Sequence, residues 1–90
     1  MELKLREKIL HIMNMTLMLN GDNGAHVFCE FCGHIKAVEV RVYNHGWGVD
    51  IKPDFRSTAY ITDSDAIDKL NTIIECLEAL AKENHINVAL

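Results

Sequence analysis

Between Val38 and Val42 every second residue is valine, and Glu39, Arg41 and Tyr43 fill the alternate positions. A period of two over this length is the pattern of a half-buried strand and is incompatible with one apolar stripe on a helix. The stretch therefore commits the chain to a sheet with a buried valine face and an outward face carrying Glu39, Arg41 and Tyr43. A second strand is predicted over residues 26–32, where Glu30 sets the phase. Phe28, Glu30 and Cys32 then point outward, and Val27, Cys29 and Phe31 inward. Gly33-His34 is a tight connection, so the two strands, 26–32 and 35–43, form a hairpin.

The period is helical at both ends of the chain. Over residues 2–20, Lys4, Glu7, Lys8, His11 and Asn14 recur at three and four, with Leu5, Ile9, Ile12, Met13, Leu17 and Met18 on the other side. Asn20-Gly21 supplies residues suited to a left-handed helix terminus, and a turn over residues 22–24 follows. Near the C-terminus, Thr62 and Asp65 hold the spacing of a capping box. Ile67, Leu70, Ile73, Ile74, Leu77, Leu80 and Ala81 then keep one face apolar to about Glu83, where Asn84 is the C-cap. The tail, residues 86–90, has alternate apolar positions and is read either as docked or as a frayed end. Between the helical ends, residues 49–52 are read as a short third strand stopped by Pro53, and residues 58–62 as a fourth.

Ninety residues support one hydrophobic core, and 49% hydrophobic content is too much for a disordered chain. The expectation is a single α+β domain over residues 1–90: an N-terminal helix, a four-stranded antiparallel meander and a C-terminal helix. Both helices cover the face of Val27, Phe31, Val38, Val40, Val42 and Ile51. The other face presents Phe28, Glu30, Glu39, Arg41, Tyr43, Asp50, Lys52 and Tyr60. Aromatic and arginine side chains on an open face suit a binding surface, although an antiparallel sheet commonly leaves one mixed face in water.

Thirteen acidic residues against nine basic leave a net charge of −4, which disfavours a surface-wide attraction to nucleic acid or anionic lipid. The excess is local: residues 63–90 hold six acids and two bases, while the preceding segments balance. Asp68 and Glu75 are seven apart with Glu78 close by, and this acidic ridge is either a solvated helix face or a mimic of polyanion for a basic groove. The three cysteines, Cys29, Cys32 and Cys76, lack a disulfide pattern and suit a reducing cytoplasm. His11, Asn14 and Thr16 interrupt the apolar run 9–19, which argues against a signal peptide and a membrane span.

Cys29-Glu30-Phe31-Cys32-Gly33-His34 has the spacing of a zinc knuckle, with His26 nearby. It lacks the second half that a structural zinc site draws from a distant segment, and strand alternation places Cys29 and Cys32 on opposite faces. The preferred reading has no metal and no other cofactor. Ser57 and Ser64 are the available serine nucleophiles. No histidine or carboxylate spacing organises a triad around either, and no Gly-rich phosphate loop follows a strand, so an enzyme is not expected. Trp47, within the turn 44–48, is either a partner anchor or a ring folded back over the sheet edge.

Gly33-His34, the run Val38-Glu39-Val40-Arg41-Val42-Tyr43, Gly46-Trp47, the strand over residues 57–61 and the helix from Asp65 together resemble small accessory proteins carried by phages and prophages. The resemblance covers the last two thirds of the chain. It implies a binder that inhibits a host machine, the anti-CRISPR class included. The expectation is thus a non-catalytic protein that binds a protein partner, a host nucleic-acid-handling complex, with no membrane partner. The contacts would be Arg41, Tyr43 and Tyr60 on the open face, Trp47, or Asp68, Glu75 and Glu78 on the acidic helix. The alternative is a zinc-knuckle domain holding metal through Cys29, Cys32 and His34 and contacting nucleic acid through Lys36, Arg41, Lys52 and Arg56. Homodimerisation through the open sheet face is compatible with either.

Overall fold

The computed structural model describes residues 1–21 and 24–87; the tip of the expected turn at 22–23 and the end of the tail, 88–90, lie outside the described residues. Element order is α1 (Leu3–Leu19), β1 (His26–Cys32), β2 (Ala37–Tyr43), β3 (Phe55–Tyr60) and α2 (Ala66–Glu83). The fold is α+β. The strands pair antiparallel in sequence order, β1-β2-β3, with Phe28 opposite Arg41, Glu30 opposite Glu39 and Arg41 opposite Arg56.

The sheet has three strands among the described residues, not the expected four. Residues 49–52 belong instead to the connection between β2 and β3. There the Ile51 N–H donates to the Gly48 carbonyl at 3.1 Å, so the segment turns back on itself and cannot present an extended edge. Both edges of β2 are also already occupied, by β1 and β3. Asp50 and Lys52 are accordingly exposed loop residues, not members of the open sheet face. The last strand begins at Phe55, three residues before its expected start.

Valine alternation works as expected. Val27, Val38, Val40, Val42 and Ala59 form one core with Leu5, Ile12, Met15 and Leu19 of α1 and Leu70, Ile73 and Leu77 of α2, so both helices lie on the valine face of the sheet. The Lys8 ammonium donates to Asn71 Oδ1 at 2.7 Å, joining the two helices across their seam. Phe31, expected to be inward, remains 46% exposed beside the start of α1.

The helix ends differ from expectation in instructive ways. α2 starts after Asp65 without a side-chain cap bond, so Thr62 and Asp65 do not form a capping box. Its end is held as expected, with the Asn84 Nδ2 donating to the Leu80 carbonyl at 2.9 Å. Ile86 then packs on the core. At the end of α1, Asn20 has φ −87° and does not adopt a left-handed conformation. Its side chain does the work: Nδ2 donates to the Thr16 carbonyl at 2.8 Å and to the Val27 carbonyl at 2.7 Å, and Oδ1 accepts the Val27 N–H at 2.9 Å. One amide thereby closes α1 and fastens it to the outer edge of β1.

Candidate partner-binding surface

The open sheet face is built from alternating side chains of His26, Phe28, Glu30 and Cys32, then Glu39, Arg41 and Tyr43, then Arg56, Thr58 and Tyr60. Two like-charged pairs stand directly opposite each other, Glu30 with Glu39 and Arg41 with Arg56, an arrangement that is repulsive unless neighbours compensate. They do. Arg41 reaches Glu30 at 3.0 Å and Glu39 at 3.4 Å, and Arg56 reaches the other Glu39 oxygen at 3.1 Å. The Arg41 guanidinium also lies 4.8 Å from the centre of the Phe28 ring, within cation–π range. The four charges sum to zero and engage one another, so Arg41 and Arg56 are not presented as free cations.

Tyr43 was expected as an exposed contact on this face. It is only 4% exposed, with Phe28 edge-on against it at 5.6 Å and 79°. The ring pair buries what alternation alone would leave in water, and Tyr43 is a packing residue in the isolated chain. Tyr60, by contrast, is 46% exposed at the end of β3. Asp68, Glu75 and Glu78 all lie exposed on α2, and Lys36 is an exposed turn residue with φ 51°.

The loop over residues 44–54 holds the densest group of exposed apolar side chains near the sheet. Trp47 is 53% exposed, Val49 88% and Ile51 55%. Solvent exposure here does not mean a loose loop. The Trp47 N–H donates to His26 Nδ1 at 2.8 Å, the Asn44 N–H to Asp54 Oδ2 at 2.7 Å, and the Asp54 N–H to the Val42 carbonyl at 2.8 Å. The acceptor role of Nδ1 places the ring proton of neutral His26 on Nε2. Two glycines make the path possible. Gly46 has φ +99°, and a Cβ there would come 3.1 Å from the Gly24 carbonyl; a Cβ on Gly48 would come 2.9 Å from Ile51 Cγ1. Trp47 thus follows a position whose backbone favours glycine, on a loop tied to β1 and β2. Val49 and Ile51 escaped the sequence reading because their β-branched character suggested a strand.

The cysteines follow the alternation. Cys29 is half-buried on the core side and Cys32 is exposed on the other, with Cys32 Sγ 3.7 Å from His34 Nδ1. No group of three or more metal-ligating side chains occurs among the described residues. Burial raises the pKa of the Cys29 and Cys76 thiols, and for Cys29 the nearby Glu30 charge adds to the rise while a Thr16 hydrogen bond opposes it. Both are therefore held as neutral thiols. Alkylation followed by mass spectrometry is expected to modify Cys32 well before Cys29 and Cys76 under native conditions, and all three together in denaturant. The unfolded chain loses those two protons more readily than the folded one. Stability should accordingly be unaffected by these groups below the ordinary thiol range and decline as pH rises through it.

No described helix is long and apolar enough to cross a membrane. Comparison of the chain with protein families, with curated proteins and with solved structures finds no match.

Proposed function

We propose that this protein is a non-catalytic binding module that captures a protein partner with the Trp47 loop as its anchor, as the resemblance to phage accessory inhibitors implies. The observation that carries the reading is the exposure of Trp47, Val49 and Ile51 on a hydrogen-bonded, glycine-shaped loop. A loop whose backbone is already hydrogen-bonded loses less conformational freedom on binding, and tryptophan is among the residues that most often dominate interfaces. Tyr60 is a second exposed aromatic. The acidic face of α2, with Asp68, Glu75 and Glu78, suits a partner with a basic groove, as a nucleic-acid-handling complex has. Inhibition would follow from occupying that groove.

The test is affinity capture from bacterial lysate, with CRISPR effectors among the candidates examined, using the intact protein and Trp47→Ala. The expected result is a partner retained by the first and lost by the second, while thermal unfolding changes little because the ring is half in water. A captured set indifferent to Trp47→Ala would remove the loop from the binding surface, and a large loss of stability would show the ring to be part of the core. A salt-dependent shift of labelled DNA or RNA, abolished by chelator, would instead favour the zinc-knuckle alternative.

A further inference from the structure

His26 opens β1, and its Nδ1 accepts the Trp47 N–H at 2.8 Å. Only a ring without a proton on Nδ1 can do so. The same ring lies against the loop at Gly46, where a Cβ would come 3.8 Å from His26 Cε1 and Nδ1 and 3.1 Å from the Gly24 carbonyl. Residues 46–47 are thus clasped by the chain entering β1. The other bonds of the loop lie elsewhere. The Gly46 and Asp54 N–H groups donate to the Tyr43 and Val42 carbonyls of β2, while the bonds from Asn44 to Asp54 and from Ile51 to Gly48 stay within the loop. Among the described residues, the Trp47–His26 bond is the loop's one hydrogen bond to β1. Few charges surround the imidazole. Tyr43 stands opposite it on β2, and Arg41, one bonded pair further along, is engaged by Glu30 and Glu39. From the loop come His45, Asp50, Lys52 and Asp54, all exposed. Both helices cover the opposite face of the sheet, and Asp22 of the preceding turn lies outside the described residues. No ion pair among the described residues includes His26.

We infer that His26 is a pH-sensitive latch on the Trp47 segment, which the neutral imidazole holds against the sheet and the imidazolium lets go. Protonation removes the acceptor and puts a hydrogen on Nδ1, so two donors then face each other across the 2.8 Å contact. Trp47 is exposed, and its N–H turns to water instead. The direction follows from where the proton fits. The held segment excludes it from Nδ1 and the released segment accepts it, so acid favours release and base favours the latch. Histidine is the side chain that ordinarily makes this change between about pH 5 and 8. The stem of the loop, closed by the bonds of Asn44 and Asp54, uses no imidazole acceptor and stays shut, which confines the change to the residues around Trp47. The consequence for function rests on the proposed anchor role of Trp47: the segment is ordered for its partner above the histidine range and mobile below it, so capture weakens on acidification.

Nuclear magnetic resonance of the intact chain, with no partner present, is the test. At about pH 7.5 the His26 ring should carry its proton on Nε2, and the Trp47 amide should have the order parameter of rigid backbone, about 0.85. By about pH 5 that value should fall below about 0.6, with a midpoint that matches the titration of the His26 ring itself. The Asn44 amide, held by Asp54, should stay rigid throughout. His26→Asn, whose Oδ1 stands in for Nδ1 as an acceptor that does not titrate, should keep Trp47 ordered at both pH values. His26→Phe, which has no acceptor, should leave it mobile at both, and His45→Asn should respond as the parent does. A Trp47 amide equally ordered at both pH values, a response that survives His26→Asn or vanishes with His45→Asn, or a ring protonated on Nδ1 at about pH 7.5 would each overturn the latch. Every readout comes from the chain alone, so a failed latch is told apart from a failed anchor, which only the capture comparison with Trp47→Ala reports.

Discussion

Ile73→Ala is expected to destabilise the protein by about 2–5 kcal/mol, the cost of removing most of a branched side chain from a closed core. Ile73 is 0% exposed and belongs to the one cluster that joins α2 with α1 and the valine face of the sheet. Part of that cluster sits on strands held by the sheet ladder, which limits collapse around the cavity. Total stability for a domain of this size is about 5–15 kcal/mol, so a large share of it rides on this one side chain. Urea unfolding should register the loss as a midpoint roughly 1–3 M lower. The same substitution at Ile51, 55% exposed in the loop before β3, should stay within about 0.5 kcal/mol of the parent. Equal losses at the two positions would mean that the core is not where the packing puts it.

Asn20→Ala is the second change with a large expected effect, and it acts through hydrogen bonds where Ile73→Ala acts through packing. The Asn20 amide satisfies the Val27 N–H and carbonyl together, as a neighbouring strand would, and caps Thr16 as well. Val27 is 5% exposed, so its backbone groups are poorly placed to recover those bonds from water. Leaving them unpaired costs about 1–3 kcal/mol. Asn20→Asp should not rescue the fold, because a carboxylate keeps the acceptor for the Val27 N–H but sets negative charge against the Val27 carbonyl. Amide exchange at Val27 is the direct readout for Asn20→Ala, which removes the acceptor of that N–H, while the loss in Asn20→Asp is read from the unfolding midpoint. Undiminished protection and an unchanged unfolding midpoint would show that water replaces the amide without cost.

The parts of the fold that were legible in the sequence are those where one physical requirement dominates. The valine alternation located β2 because no other element gives that period. Glu30 set the phase of β1 because a carboxylate resists burial, and the resulting opposition of Cys29 and Cys32 is what the structure has. Residues 49–52 misled for the converse reason. Val49 and Ile51 carry strand propensity, but propensity cannot form a strand when the edges of β2 are taken and a turn hydrogen bond folds the segment onto Gly48. Tyr43 misled because alternation reports direction and not cover, and the cover comes from Phe28 one strand away. On α1, apolar residues recur on two sides, so periodicity alone did not separate Met15 and Leu19, which are buried, from Leu17, which is not. Leu3, Leu10 and Leu17, seven residues apart, are all exposed.

The Lys8–Asn71 hydrogen bond spans 63 positions of chain, while each strand pairs with its neighbour in sequence. This contrast governs how the molecule searches for its structure. Bringing α1 directly onto α2 from an open chain costs about 2–3 kcal/mol more in loop-closure entropy than closing a four-residue turn such as that between β1 and β2. The two hairpins shorten that search by bringing the ends of the sheet together first. Short-range strand pairing therefore favours a fast approach to the native topology, and the meeting of the two terminal helices is the step that depends on everything between them.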